Sequence, residues 1–153
     1  MSITASGLYG LTLEKMFIDT AGQSLEAETH KGMLVLDAYT PAFDTHDFRN
    51  DITSGDEVTA GSGYTAGGAT ITTTEITVGS PSAGTLKWAH ADVSWASSTI
   101  TNAMALVDYF NVGSSATDQL ILLLDFVTAV STTNGLLQVT IAANGCFNLD
   151  FTP

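Results

Sequence analysis

Residues 102–151 read NAMALVDYFNVGSSATDQLILLLDFVTAVSTTNGLLQVTIAANGCFNLDF, and their periodicity is that of strands. Met104, Leu106, Asp108 and Phe110 alternate with Ala105, Val107 and Tyr109, which places two sets of side chains on opposite faces of one extended segment. Gly113-Ser114-Ser115 then turns the chain into Gln119–Val130, almost wholly apolar apart from Asp125. Asn134-Gly135 is the strongest short hairpin signal, because both residues accept the positive φ of a tight turn. A second Asn-Gly, at 144–145, separates Leu136–Ala142 from Phe147–Phe151 and predicts another hairpin.

Working towards the N-terminus, residues 85–95 alternate Leu86, Trp88, His90 and Asp92 against Lys87, Ala89, Ala91 and Val93. Residues 69–78 are rich in threonine, and Met33–Leu36 read as a buried strand. Threonine makes up 23 of the 153 residues, a β-branched bias that suits pleated surfaces. One helix is expected, over residues 8–20. Tyr9, Leu13, Met16 and Phe17 lie on one face of a 3.6-residue period there, and Gly22 stands where a C-terminal cap belongs. The expected fold is therefore all-β, a predominantly antiparallel β-sandwich or barrel with one short N-terminal helix. With no internal repeat and no linker, residues 1–153 read as a single domain. Residues 1–30 form its partly helical N-terminal segment, and 39–68 a long acidic, Gly-rich loop region with a short strand near Glu57–Thr59.

Sixteen Asp and Glu stand against four Lys and Arg, for a net charge of −12. Such a surface repels phosphate, so neither nucleic acid nor an anionic membrane is an expected partner. Hydrophobic residues make up 44% and charged residues 13%, a composition that excludes intrinsic disorder. No basic residue precedes Lys15 and no apolar run approaches the length of a membrane span, so synthesis in a cytoplasm is expected. The single cysteine, Cys146, fits a reducing compartment.

Candidate chemistry is sparse. Asp44, Asp47, Asp51 and Asp56, with Glu57, supply the hard oxygens that Ca²⁺ takes, but not at EF-hand spacing; solvated turn-capping carboxylates are the plainer reading. His30, His46 and His90 form no short metal-binding pair, and His90 reads as a hydrogen-bonded structural histidine. Gly61–Gly68 lacks the lysine of a phosphate loop, and its glycines serve a tight turn that the Tyr64 ring would pin. No Gly-x-Ser-x-Gly elbow and no signature of a reactive cysteine occurs, so no enzyme and no cofactor are expected. Trp88, Trp95 and Tyr64, with Tyr109 and Phe110, would stack on sugar in a carbohydrate-binding module, against the plainer reading that they fill a core. Leu120, Leu122 and Leu124 belong to a run needing cover on both faces, either between layers or at a subunit interface. With Tyr64, these leucines are the expected interface residues.

The runs Ala38-Tyr39-Thr40-Pro41, Asp44-Thr45-His46-Asp47-Phe48, Glu57-Val58 and Gly63–Thr70 resemble a small virion protein of tailed bacteriophages. So do Asp92–Trp95, Ser98–Thr101 and Ser131–Gly135, and the resemblance extends from about residue 8 to the end. It implies a structural virion protein with no catalytic residues. The expected role is a capsid decoration or cement protein that docks on the head surface, with the major capsid protein and itself as partners. A trimer would suit the local three-fold positions of the lattice. Neck, tail or fibre placement is the alternative, and a carbohydrate-binding adhesion module the second.

Overall fold

Two antiparallel sheets account for the chain in a computed structural model that describes residues 2–18 and 23–152. The first sheet has strand order β1-β7-β6-β2-β3, with β1 at Gly7–Leu8, β2 at His30–Leu36, β3 at Ala69–Ile71, β6 at Val93–Phe110 and β7 at Leu120–Val139. The second, ordered β4-β5-β8, comprises Glu75–Val78, Thr85–Ala89 and Phe147–Asp150. Strand takes 46% of the residues and helix 7%, so the all-β expectation with one early helix stands. That helix, α1, runs from Gly10 to Phe17, shorter than expected. Tyr9 lies buried at its N-cap and Met16 packs inward, whereas Phe17 is exposed; Gly22 lies outside the described residues.

The second sheet covers one face of the first. Trp88, Ile76 and Phe147 meet Phe110, Ile121, Leu122 and Leu124. The opposite face carries Val107, Tyr109 and Leu123, covered by Tyr39, Phe43 and Ile52 from the long loop. Residues 103–110 are consequently all buried, and so are 118–123. Leu120 and Leu122 are 0% and 2% exposed, and the chain itself supplies the two-sided cover that their sequence demands. The alternative of a subunit interface fails for these two side chains, and Leu124 is half-buried against the same clusters.

Neither Asn-Gly makes the expected hairpin. Asn134, with φ 47°, and Gly135 lie inside β7, where the pairing to β6 slips between Ser98↔Gly135 and Ile100↔Thr132. Positive φ is here absorbed as strand irregularity, and Ser97, Asn102 and Val127 share it. Asn144-Gly145 does turn the chain, with Gly145 N–H donating to the Ala142 carbonyl. The turn carries it between sheets, however, because β8 pairs with β5 (Thr85↔Asp150 to Trp88↔Phe147) and not with β7. The expected strand 69–78 is likewise split, β3 joining the first sheet and β4 the second. At Glu57 only an isolated bridge to Val35 forms.

Candidate functional site

The acidic, glycine-rich loop is held by its own carboxylates. Asp51 accepts from the Asp47 and Phe48 N–H groups at 2.7 and 3.0 Å, and Asp56 accepts from Thr53 N–H and Oγ1 at 3.1 and 2.7 Å. Asp47 pairs with Lys15, while Asp44 is exposed on a turn. Among the described residues these carboxylates do not gather into a group of three within ligand distance, and Asp51 and Asp56 cap turns as in the plainer reading. Glu57 Oε1 accepts from Tyr64 OH at 2.9 Å and from Gly67 N–H at 2.6 Å. Tyr64 OH in turn accepts from Leu34 N–H at 3.1 Å, and Tyr109 OH donates to the Gly67 carbonyl at 2.6 Å. Gly68 adopts φ +75°, and a Cβ there would fall 1.8 Å from the Gly32 carbonyl oxygen, so only glycine lets the loop lie against β2. The motif around Tyr64 thus closes the fold, and Tyr64, 2% exposed, cannot be an interface residue.

The aromatic residues nominated for sugar stacking are all interior. Trp88, Trp95, Tyr109 and Phe110 are buried along with Tyr64, which removes the rings on which the carbohydrate-binding alternative rested. Trp88 Nε1 donates to the Leu25 carbonyl at 3.1 Å, and Trp95 packs on Tyr64 with ring centres 5.9 Å apart.

Two features remain with functional character. The first is a buried polar cluster at the junction of the sheets. His90, just beyond β5, places Nε2 2.9 Å from Asp108 Oδ2 on β6, and both side chains are fully buried. His90 Nδ1 lies 2.7 Å from the Ala91 carbonyl. Cys146, half-buried ahead of β8, is the third member: one ligand atom from each of the three lies within 4.8 Å of the others. Gly145 makes this approach possible, since at φ +83° a Cβ would meet the Trp88 carbonyl oxygen at 2.5 Å. The Cys146 N–H donates to that same carbonyl at 2.8 Å.

The structural role expected of His90 has this hydrogen bond as its basis, but the partners Asp108 and Cys146 were not foreseen. Burial pushes His90 down, yet the hydrogen bond and charge of Asp108, with Cys146 beside them, outweigh it and carry the imidazole up to about 10. Burial raises the Asp108 carboxyl against the pull of His90, so one proton is held between the two groups. Nearby, His30 packs on Phe110 and Trp88, and its two ring nitrogens are buried without a hydrogen-bond partner. Burial lowers it to about 4, a shift only partly opposed by the Glu28 backbone. One sequence signal does point to the cluster. Asp108 is the lone charge in the apolar run Ala103–Phe110, and a buried carboxylate requires a partner.

The second feature is the outer half of β6 and β7. Beyond the β1 pairing at Leu122 and Leu123, no strand flanks that edge of β7 among the described residues. This segment exposes Val127, Val130 and Leu136, at 71%, 39% and 59%, beside a shallow groove of about 270 Å³ lined by Phe126, Val130, Leu137 and Val139. A larger open groove of about 750 Å³ runs between residues 58–62 and Thr99, Thr101 and Asn102 of β6. Among the described residues, no helix is long and apolar enough to cross a membrane. Comparison with family models, curated proteins and solved structures gives no match.

Proposed function

We propose that the chain is a structural protein of a tailed-phage virion, and that it decorates the capsid by docking on the head surface. The observation that carries this reading is the bare outer edge of β7 with Val127, Val130 and Leu136 exposed along it. An unpaired strand edge offers backbone donors and acceptors to an extended arm of the capsid protein, and exposed apolar side chains beside it supply pockets for alternate residues. Hydroxyl groups line the neighbouring groove at Thr59, Ser62, Thr99 and Thr101, a lining suited to polypeptide. The net charge of −12 keeps unbound copies apart in solution and away from packaged DNA. The resemblance of Asp44–Phe48 and Gly63–Thr70 to small virion proteins supports the same reading. No observation favours the carbohydrate-binding alternative.

The test is copy number on purified virions, by quantitative mass spectrometry against the major capsid protein. Hundreds of copies are expected, whereas a dozen or fewer would move the chain to the neck or tail. Val127→Asp with Leu136→Asp should lower occupancy on the head at least tenfold, since each change places a charge on a surface that docking dehydrates. Both positions are exposed, so the thermal midpoint of the free protein should stay within about 2 °C of the parent.

A further inference from the structure

We propose that His90, Asp108 and Cys146 form a site for a divalent transition ion, best suited to Zn²⁺, that clamps the second sheet onto the first. The three side chains come from just beyond β5, the C-terminal end of β6 and the turn before β8. One ligand atom from each lies within 4.8 Å of the other two. A tetrahedral zinc ion with bonds of about 2.0–2.3 Å holds its ligand atoms roughly 3.3–3.8 Å apart, so closure on the ion needs a movement on the order of 1 Å. Cys146 can make it, because it follows a turn and is half-buried.

The second observation is independent of the spacing. Among the described residues Asp108 Oδ1, on the carboxylate whose other oxygen meets His90, is wholly buried with no hydrogen-bond partner, an unmet demand. An uncompensated buried carboxylate oxygen is costly, and a dication beside it answers that demand. The histidine is also arranged as a ligand. Nδ1, bonded to the Ala91 carbonyl, leaves Nε2 as the atom turned to the cluster, which is how backbone carbonyls orient metal-binding imidazoles. Imidazole, carboxylate and thiolate together favour zinc or a neighbouring transition ion over Ca²⁺ or Mg²⁺, which take oxygen. Coordination displaces to solvent the thiol proton and the proton held between His90 and Asp108. Cys146 also lines a cavity of about 170 Å³ with Leu8, Leu122, Leu124 and Phe147.

The experiment uses the full chain, stripped with chelator and titrated with Zn²⁺, and separately with Co²⁺ as a spectroscopic probe. One equivalent of Zn²⁺ should bind and raise the thermal midpoint by about 5 °C or more at saturating metal, while Ca²⁺ leaves it unchanged. Co²⁺ should give a thiolate charge-transfer absorption, absent in Cys146→Ser. Cys146→Ser is conservative and keeps the folded midpoint measurable without metal. His90→Gln should weaken binding at least tenfold; should it fail to fold, the cobalt spectrum of the parent still decides. No bound zinc at saturation, cobalt binding without the thiolate band, or full zinc affinity in Cys146→Ser would each overturn the site.

Discussion

The two halves of the β6–β7 pair are both antiparallel, both with slips of register, and differ in how far they are covered. In the inner half, residues 103–110 and 120–123 are buried without interruption, with sheet on one side and loop on the other. In the outer half, residues 93–102 alternate buried with exposed, and β7 bares valine and leucine along an edge that no described strand pairs with. A ladder of backbone hydrogen bonds does not itself specify how much apolar surface is hidden. Cover from other elements does, and here cover on both faces gives way halfway along the strands to cover on one, by Val58 and Tyr64.

The largest contrast should come from paired truncations. Leu106→Ala, at a position 0% exposed, should cost about 3 kcal/mol through lost burial and a cavity, read as a shift in the denaturation midpoint. Leu136→Ala, at 59% exposed, should cost no more than about 0.5 kcal/mol. Equal costs would mean that the outer half is covered in the isolated protein, and the division between the halves would fail.

Tyr64 sits where the halves meet, bonded to Leu34 on the inner side and packed on Trp95 on the outer. Tyr64→Phe leaves the ring but strips a buried N–H and the Glu57 carboxylate of a partner, so a loss of about 1–3 kcal/mol is expected. Amide exchange should quicken around Leu34 and Gly67 before it does in residues 104–110. Uniform quickening would show that the loop and the inner half open as one unit.

The last contrast concerns His30, buried in the inner half and near enough to His90 to feel its charge. The folded ring holds its proton only below about pH 4, against an ordinary value of 6.5, so in that window the unfolded chain binds more protons. The contribution of His30 is therefore complete above pH 6.5 and declines as pH falls towards 4. Sixteen carboxylates titrate close by, so the measurable quantity is the difference between the parent and His30→Phe. The difference in midpoint should move against the parent on acidification; a difference independent of pH would remove the assignment.

Much of this architecture could be read from residue order. Alternation over 104–110, the turn at 113–115, the apolar run after Gln119 and the early helix all correspond to local periodicity, which backbone geometry obeys directly. Strand partners were less accessible. Asn134-Gly135 carries the residues of a hairpin, but positive φ also serves an irregularity within a continuing strand, and tertiary pairing chose the latter. Nothing in Phe147–Asp150 shows that its neighbour is β5, more than fifty residues upstream. The polar cluster stayed hidden for the same reason, since His90, Asp108 and Cys146 meet only through the crossing of sheets. The aspartates of the long loop follow the plainer of their two readings. They lie close in sequence, yet Asp51 and Asp56 turn to local backbone and Asp47 to Lys15, while Asp44 is exposed.

The strand order β1-β7-β6-β2-β3 also sets a timetable for manufacture. Gly7 and Leu8 are made before their partners Leu122 and Leu123, which follow more than a hundred residues later. At translation rates of about 5–20 residues per second, β1 waits roughly 5–20 s for the strand it must join. Through most of that interval β2 is also without β6, so the central pairs of the first sheet form only once β6 and β7 are made. A nascent chain that stays open for so long needs protection from its neighbours on the same message, and mutual repulsion between strongly acidic chains provides it.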